Sequence, residues 1–162
     1  MKQSIQDKLN EINQARQNYQ ALMQQHGAAL VEEMAKGIFD TFPCVRAIRW
    51  TQYTPYFNDG DPCYFKLHEA RIALNEDFMK SLQASEKQCL YECHDDFMEF
   101  SYRLAEHPNT PAAQVLKKIE EALGEFQGVL NDLSEAMEEV FGDHQQITIT
   151  RDGIEAEEYS HD

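Results

Sequence analysis

Glu121, Glu125, Asp132, Glu135 and Glu139 fall at offsets of 0, 4, 11, 14 and 18 in the C-terminal quarter of the chain. On one α-helix, at 100° per residue, these carboxylates share a side, and at 1.5 Å rise per residue they span roughly 27 Å. Neighbours then stand about 6–10 Å apart, one or two turns along the axis, a spacing comparable to that of phosphates along a nucleic-acid strand. Such a stripe attracts a basic partner, and in its sharpest form it imitates nucleic acid and occupies a protein that binds it. Glu120, Glu138 and Asp143 broaden the stripe, and Glu155, Glu157 and Glu158 extend it. The plainer and commoner use of such a face is solvation.

A second constellation joins basic and aromatic residues. Trp50, Tyr53, Tyr56, Phe57, Tyr64 and Phe65 lie within 16 residues, interleaved with Arg46, Arg49 and Lys66. Arg46, Arg49, Trp50 and Tyr53 can line a pocket for a nucleotide or small anion, because outward aromatics and arginines anchor ligands and partners. The alternative is a sheet face packed on helices. Between these aromatics, Asn58, Asp59 and Asp61 with Gly60 hold hard oxygens. They lack the spacing and the closing Glu of a calcium loop, so an ordered turn or a contact tip is expected. Cys89 and Cys93, one turn apart if helical, are weak metal-ligand candidates. A structural zinc would need Cys44, Cys63 or His68 as well, and buried apolar thiols are the alternative.

No catalytic signature accompanies these groups. The chain lacks GxSxG, GxxxxGK[ST], GxGxxG and HExxH. His94-Asp95-Asp96 resembles the metal-binding pairs of phosphohydrolases, but no second histidine cluster supports it. The expectation is a non-enzymatic protein without a cofactor. A small-molecule binder and a coiled-coil assembly factor are the alternatives to a protein-interaction module.

Composition narrows the partners. Of the net charge of −15, about −12 resides in residues 119–162, which hold 13 Asp or Glu and a single Arg. A protein so charged repels DNA, RNA and anionic membranes, so a protein partner is expected, with no direct nucleic acid and no membrane. No run of 18 apolar residues and no apolar signal-peptide stretch occurs, which suggests a cytoplasmic protein with reduced cysteines.

The elements that must position these residues follow from periodicity, and 1–162 reads as a single domain. Ile5, Leu9, Ile12, Tyr19, Met23 and Leu30 predict a helix over 3–40, with Arg16 and His26 in the same seam. A wide-looped hairpin is predicted over 45–68, and a broken stripe from Phe78 to Leu104 suggests helix over 75–107. Leu116, Ile119, Leu123, Phe126, Leu130, Leu133, Met137 and Val140 predict one helix over 111–142 with a coiled-coil seam. Gly124 and Gly128 weaken it unless close packing or a bend needs them. A second hairpin spans 145–159, with Asp152-Gly153 as its turn. The expected fold is α+β and helix-dominated. Its long N- and C-terminal helices pack antiparallel, beside a small antiparallel sheet made from the two β-hairpins. A homodimer through the seam is the alternative.

The segment Trp50-Thr51-Gln52-Tyr53-Thr54-Pro55-Tyr56-Phe57-Asn58-Asp59-Gly60-Asp61-Pro62-Cys63 resembles one in a family of small uncharacterised phage and bacterial proteins. The closing Thr150-Arg151-Asp152-Gly153-Ile154-Glu155, with Glu158-Tyr159 and His161-Asp162, is similar to the end of those chains. The resemblance covers about a quarter of the chain. It implies a prokaryotic or phage-infected cytoplasm, a viral protein among the options, and no particular chemistry.

Overall fold

A computed structural model describes residues 2–161. Helix α1 runs from Lys2 to Thr41 and ends at the Phe42-Pro43 step, and Thr41 Oγ1 donates back to the Gly37 carbonyl at 2.8 Å. Strands β1 (Val45–Tyr53), β2 (Lys66–Leu67) and β3 (Arg71–Leu74) follow. Two short helices come next, α2 (Glu76–Ser81), capped by Asn75, and α3 (Ala84–Lys87). Strands β4 (Leu90–Glu92) and β5 (Phe97–Phe100) flank a tight turn at His94–Asp96, and α4 (Arg103–Glu106) leads to the longest C-terminal element. Helix α5 (Pro111–Asp132) starts where Thr110 Oγ1 accepts from the Ala113 N–H at 3.2 Å and Pro111 supplies a fixed φ. Helix α6 (Ser134–Phe141) and strands β6 (Gln145–Thr150) and β7 (Gly153–Glu158) complete the chain.

The sheet overturns the expected architecture. It has seven antiparallel strands in the order β4-β5-β3-β1-β6-β7, with β2 alongside the end of β1, instead of two hairpins beside a helix pair. The difference arises at 75–107, where the apolar stripe suggested helix. Asp95 and Asp96 adopt φ of 60° and 65° there. Asp tolerates these left-handed values better than most residues, and two in succession reverse the chain. Leu90–Glu92 and Phe97–Phe100 therefore pair with each other, and β5 pairs with β3, carrying the sheet well beyond β1.

Two further expectations change. The helix over 111–142 is interrupted at Leu133 (φ −100°, ψ 20°), which divides α5 from α6. Gly124 and Gly128 lie in open space and mark neither close packing nor that break. In the second hairpin Arg151 and Asp152 form the loop, and Gly153 opens β7 at φ 141°.

Strand alternation sorts the residues onto two faces. Ile48, Trp50 and Gln52 of β1, Ile72 and Leu74 of β3, and Ile147 and Ile149 of β6 face α1, α5 and α6, and nearly all of them join the main core. Trp50, 1% exposed, packs edge-on against Phe126 and Phe141 at 6.0 and 6.1 Å. Gln52 is buried but fully used. Its Oε1 accepts from Trp50 Nε1, and its Nε2 donates to the Met137 and Gly142 carbonyls. This amide fastens β1 to the end of α6. Close to the same junction, Gly27 of α1 is buried against Val140 of α6, and a Cβ there would lie 2.7 Å from Val140 Cγ2.

Candidate functional site

The opposite face of the sheet holds the polar chemistry. Arg49 of β1 stands between Thr148 of β6 and Arg71 of β3 in the strand register, and Tyr91 of β4 pairs with Glu99 of β5. Like charges placed directly across two strands repel. Here each arginine has a counter-ion. Arg71 Nε donates to Glu99 Oε1 at 2.7 Å, and Arg49 Nη1 donates to Asp95 Oδ2 at 3.0 Å. Arg49 is spent further, donating through Nε to Thr148 Oγ1 and lying 4.1 Å over the Phe97 ring. It seals a small apolar patch of Ala47, Ala73 and Phe97. Arg71 forms no other hydrogen bond among the described residues, so its terminal nitrogens stay open to a ligand.

Beside Arg71 lies a polar hollow of about 240 Å³, bordered by Arg49, His68, His94, Glu99, Gln146 and Tyr159 among others. The Nε2 atom of His68 is buried and meets no hydrogen-bond partner among the described residues. A buried imidazole nitrogen without a partner costs free energy unless something occupies the place it faces. Burial holds the His68 pKa below the ordinary histidine range, and the positive charges of His161, Lys66 and Arg71 lower it further. The ring is therefore neutral at pH 7. That Lys66 and Arg71 both bear on this point matters in a chain of net charge −15.

One side of this site is a stack of rings. Tyr53 lies 4.1 Å from His68 and 3.6 Å from His161, both near-parallel. His161 Nε2 sits 3.3 Å from His144 Nδ1, and Tyr56 stacks on both of these histidines. Tyr53 itself is raised by burial and by the neighbouring Tyr159. Asp143 anchors the stack, since its Oδ1 accepts from the Thr54 and His144 N–H groups at 2.7 and 2.8 Å. Burial pushes the Asp143 carboxyl up, but these hydrogen bonds and the His144 charge outweigh it and leave its pKa low.

The residues singled out from sequence distribute as follows. Arg49 borders the hollow and Tyr53 the stack. Trp50 also borders the hollow, while its ring, 1% exposed, packs against Phe126 and Phe141 on the helix side. Arg46 is exposed and reaches Asp96 at 3.8 Å. Asn58, Asp59 and Asp61 form an exposed turn in which the Asp61 N–H donates to the Asn58 carbonyl at 2.8 Å, with Asp59 and Gly60 at positive φ. Cys89 and Cys93 share no helix. They bracket β4, both thiols are raised by burial, and Cys89 is fully buried. No group of three or more His, Cys, Asp or Glu able to hold a metal occurs among the described residues.

No protein-family model matches this chain, and comparisons with curated proteins and with solved structures find no significant similarity.

Glu121, Glu125, Asp132, Glu135 and Glu139 are all exposed and form no salt bridge among the described residues. The irregularity at Leu133 places the first three on α5 and the last two on α6. A larger hollow of about 400 Å³ lies between α1 and α5, lined by Met34, Ile38, Phe42, Phe126 and Val129. It lacks convergent polar groups, and the orphaned His68 nitrogen is on the other face of the sheet. Sequence reasoning missed Arg71, Glu99 and His144, named His68 only as a possible zinc ligand, and named Tyr159 and His161 only within the family resemblance. Each stands alone in the sequence, and only strand pairing gathers them.

Proposed function

We propose that the protein binds a small anionic ligand, a phosphate- or carboxylate-bearing molecule with a planar ring, on the polar face of its sheet. The observation that carries this reading is His68, which borders the 240 Å³ hollow and whose buried Nε2 has no hydrogen-bond partner among the described residues. The terminal guanidinium nitrogens of Arg71 supply the anion contact, and the ring stack around Tyr53 offers a flat apolar edge. A panel of inorganic phosphate, dicarboxylates and nucleoside phosphates, read by thermal shift and calorimetry, tests it. A true ligand at 100-fold over its Kd adds about 2.7 kcal/mol of stability. Arg71→Gln and His68→Phe each remove most of that shift. A panel without any shift, or a shift untouched by both substitutions, sinks the reading.

A second reading gives the exposed, unpaired carboxylates of α5 and α6 to a basic protein partner, in the prokaryotic setting that the family resemblance implies. Changing Glu121, Glu125, Asp132, Glu135 and Glu139 to Gln abolishes such a complex and leaves the fold intact, and high salt weakens it. A complex that survives both rejects this surface.

A further inference from the structure

The first half of α1 leaves the body of the molecule. Residues 3–19 are all exposed, and the first buried position is Gly27, where α6 crosses. Ile5, Leu9 and Ile12 are 59%, 48% and 64% exposed, although they sit on the same 3,4-spaced seam that continues through Arg16, Tyr19 and Met23. Further along, Arg16, Tyr19 and Gln20 border a hollow of about 290 Å³ with Glu135, Glu138 and Glu139 of α6. α6 thus runs beside the seam from about Arg16 onward, and among the described residues nothing flanks the seam before it. A free helix of that length is marginal in water, and its apolar seam is costly to leave wet.

We propose that the free arm of α1 pairs antiparallel with the same arm of a second copy of this chain, with the twofold axis between Leu9 and Ile12. The limits of the seam set this register. The partner arm can extend only to where α6 begins, so its start must reach the level of Arg16. Residues whose numbers sum to about 21 then face each other. Leu9 meets the partner's Ile12, and Ile5 packs on the aliphatic stem of the partner's Arg16, an a-to-d pairing of a coiled coil.

Charge selects both the occupant and the orientation. Residues 2–22 hold Lys2, Lys8 and Arg16 against Asp7 and Glu11, a net +1, which leaves −16 for the remainder. Parallel arms would set two such bodies side by side and stack Arg16 on its own copy. Antiparallel arms separate the bodies and bring each arm's start, net +1 over residues 2–8, to the partner's acidic hollow at α6. Arg16 is the one cation bordering that hollow, against three carboxylates, and it forms no salt bridge among the described residues. Glu138 is raised by burial and by the negative charges of Asp143, Glu135 and Glu139 around it.

Sedimentation equilibrium of the full chain over a wide concentration range tests the pairing, with Leu9→Glu/Ile12→Glu as the variant. The wild type approaches twice the chain mass, and the variant stays at the chain mass and melts where the wild type melts at dilutions that leave it monomeric, since both side chains lie outside the core. Small-angle scattering of the dimer shows two lobes held apart by the paired arms. A wild type that is monomeric throughout overturns the proposal. So does a dimer that persists in the double variant, or a scattering profile with the lobes side by side.

Discussion

At the residue scale, His68 links the ligand site to stability. Its pKa is lower in the folded chain than in the unfolded one, so the unfolded state takes up the proton more readily. The contribution is present above about pH 6.5 and is lost as pH falls through the folded value. Urea titrations at pH 7.5 and 5.5 are expected to show a loss of stability on acidification that is smaller in His68→Gln. Equal losses would assign the acid sensitivity to other groups. Gln52 yields a sharper prediction. Gln52→Leu strands Trp50 Nε1 and the carbonyls of Met137 and Gly142 in the core. The expected cost is roughly 2–4 kcal/mol, because orphaned buried groups lose their full solvation. Chemical denaturation reads it directly.

At the scale of elements, the glycines separate two causes. Gly27 lies where α1 and α6 nearly touch, and a methyl group there must displace Val140 or the helix itself. Gly27→Ala is expected to destabilise by about 1–3 kcal/mol, the usual cost of overpacking. Gly124 and Gly128 face open space within α5. Gly124→Ala and Gly128→Ala are each expected to stabilise by roughly 1 kcal/mol, the difference in helix propensity. Thermal melts of the three variants decide the matter, and a loss at either α5 position would mean that its surface is covered by something else. The elements also show why the site was hard to read. α1, β1 and the 145–159 hairpin carry strong periodic or turn signals. Leu90–Glu92 and Phe97–Phe100 are short strands whose apolar residues also fit a helical stripe, and two aspartates at positive φ decide between the readings.

At the scale of the whole molecule, charge acts over the longest range. A net charge of −15, concentrated in the last helices and hairpin, repels itself in the folded state. Raising sodium chloride from about 10 mM, where the Debye length is near 30 Å, to 150 mM, where it is near 8 Å, is expected to raise the melting temperature. A flat response would show that local ion pairs already neutralise the field. No helix among the described residues is long and apolar enough to cross a membrane.

The sequence by itself determined the regional acidity, the long first helix with its seam, the turn chemistry at Asn58–Asp61 and the final hairpin, because each is written in local composition or period. The tertiary structure alone decided the seven-stranded sheet, the burial of Trp50 and the gathering of His68, Arg71, Glu99, Tyr159 and His161 on one polar face. Long-range strand pairing leaves only a two-residue alternation in the sequence, and that alternation does not say which strands become neighbours. A site assembled across several strands therefore has no local signature, and it becomes visible only when the chain is folded.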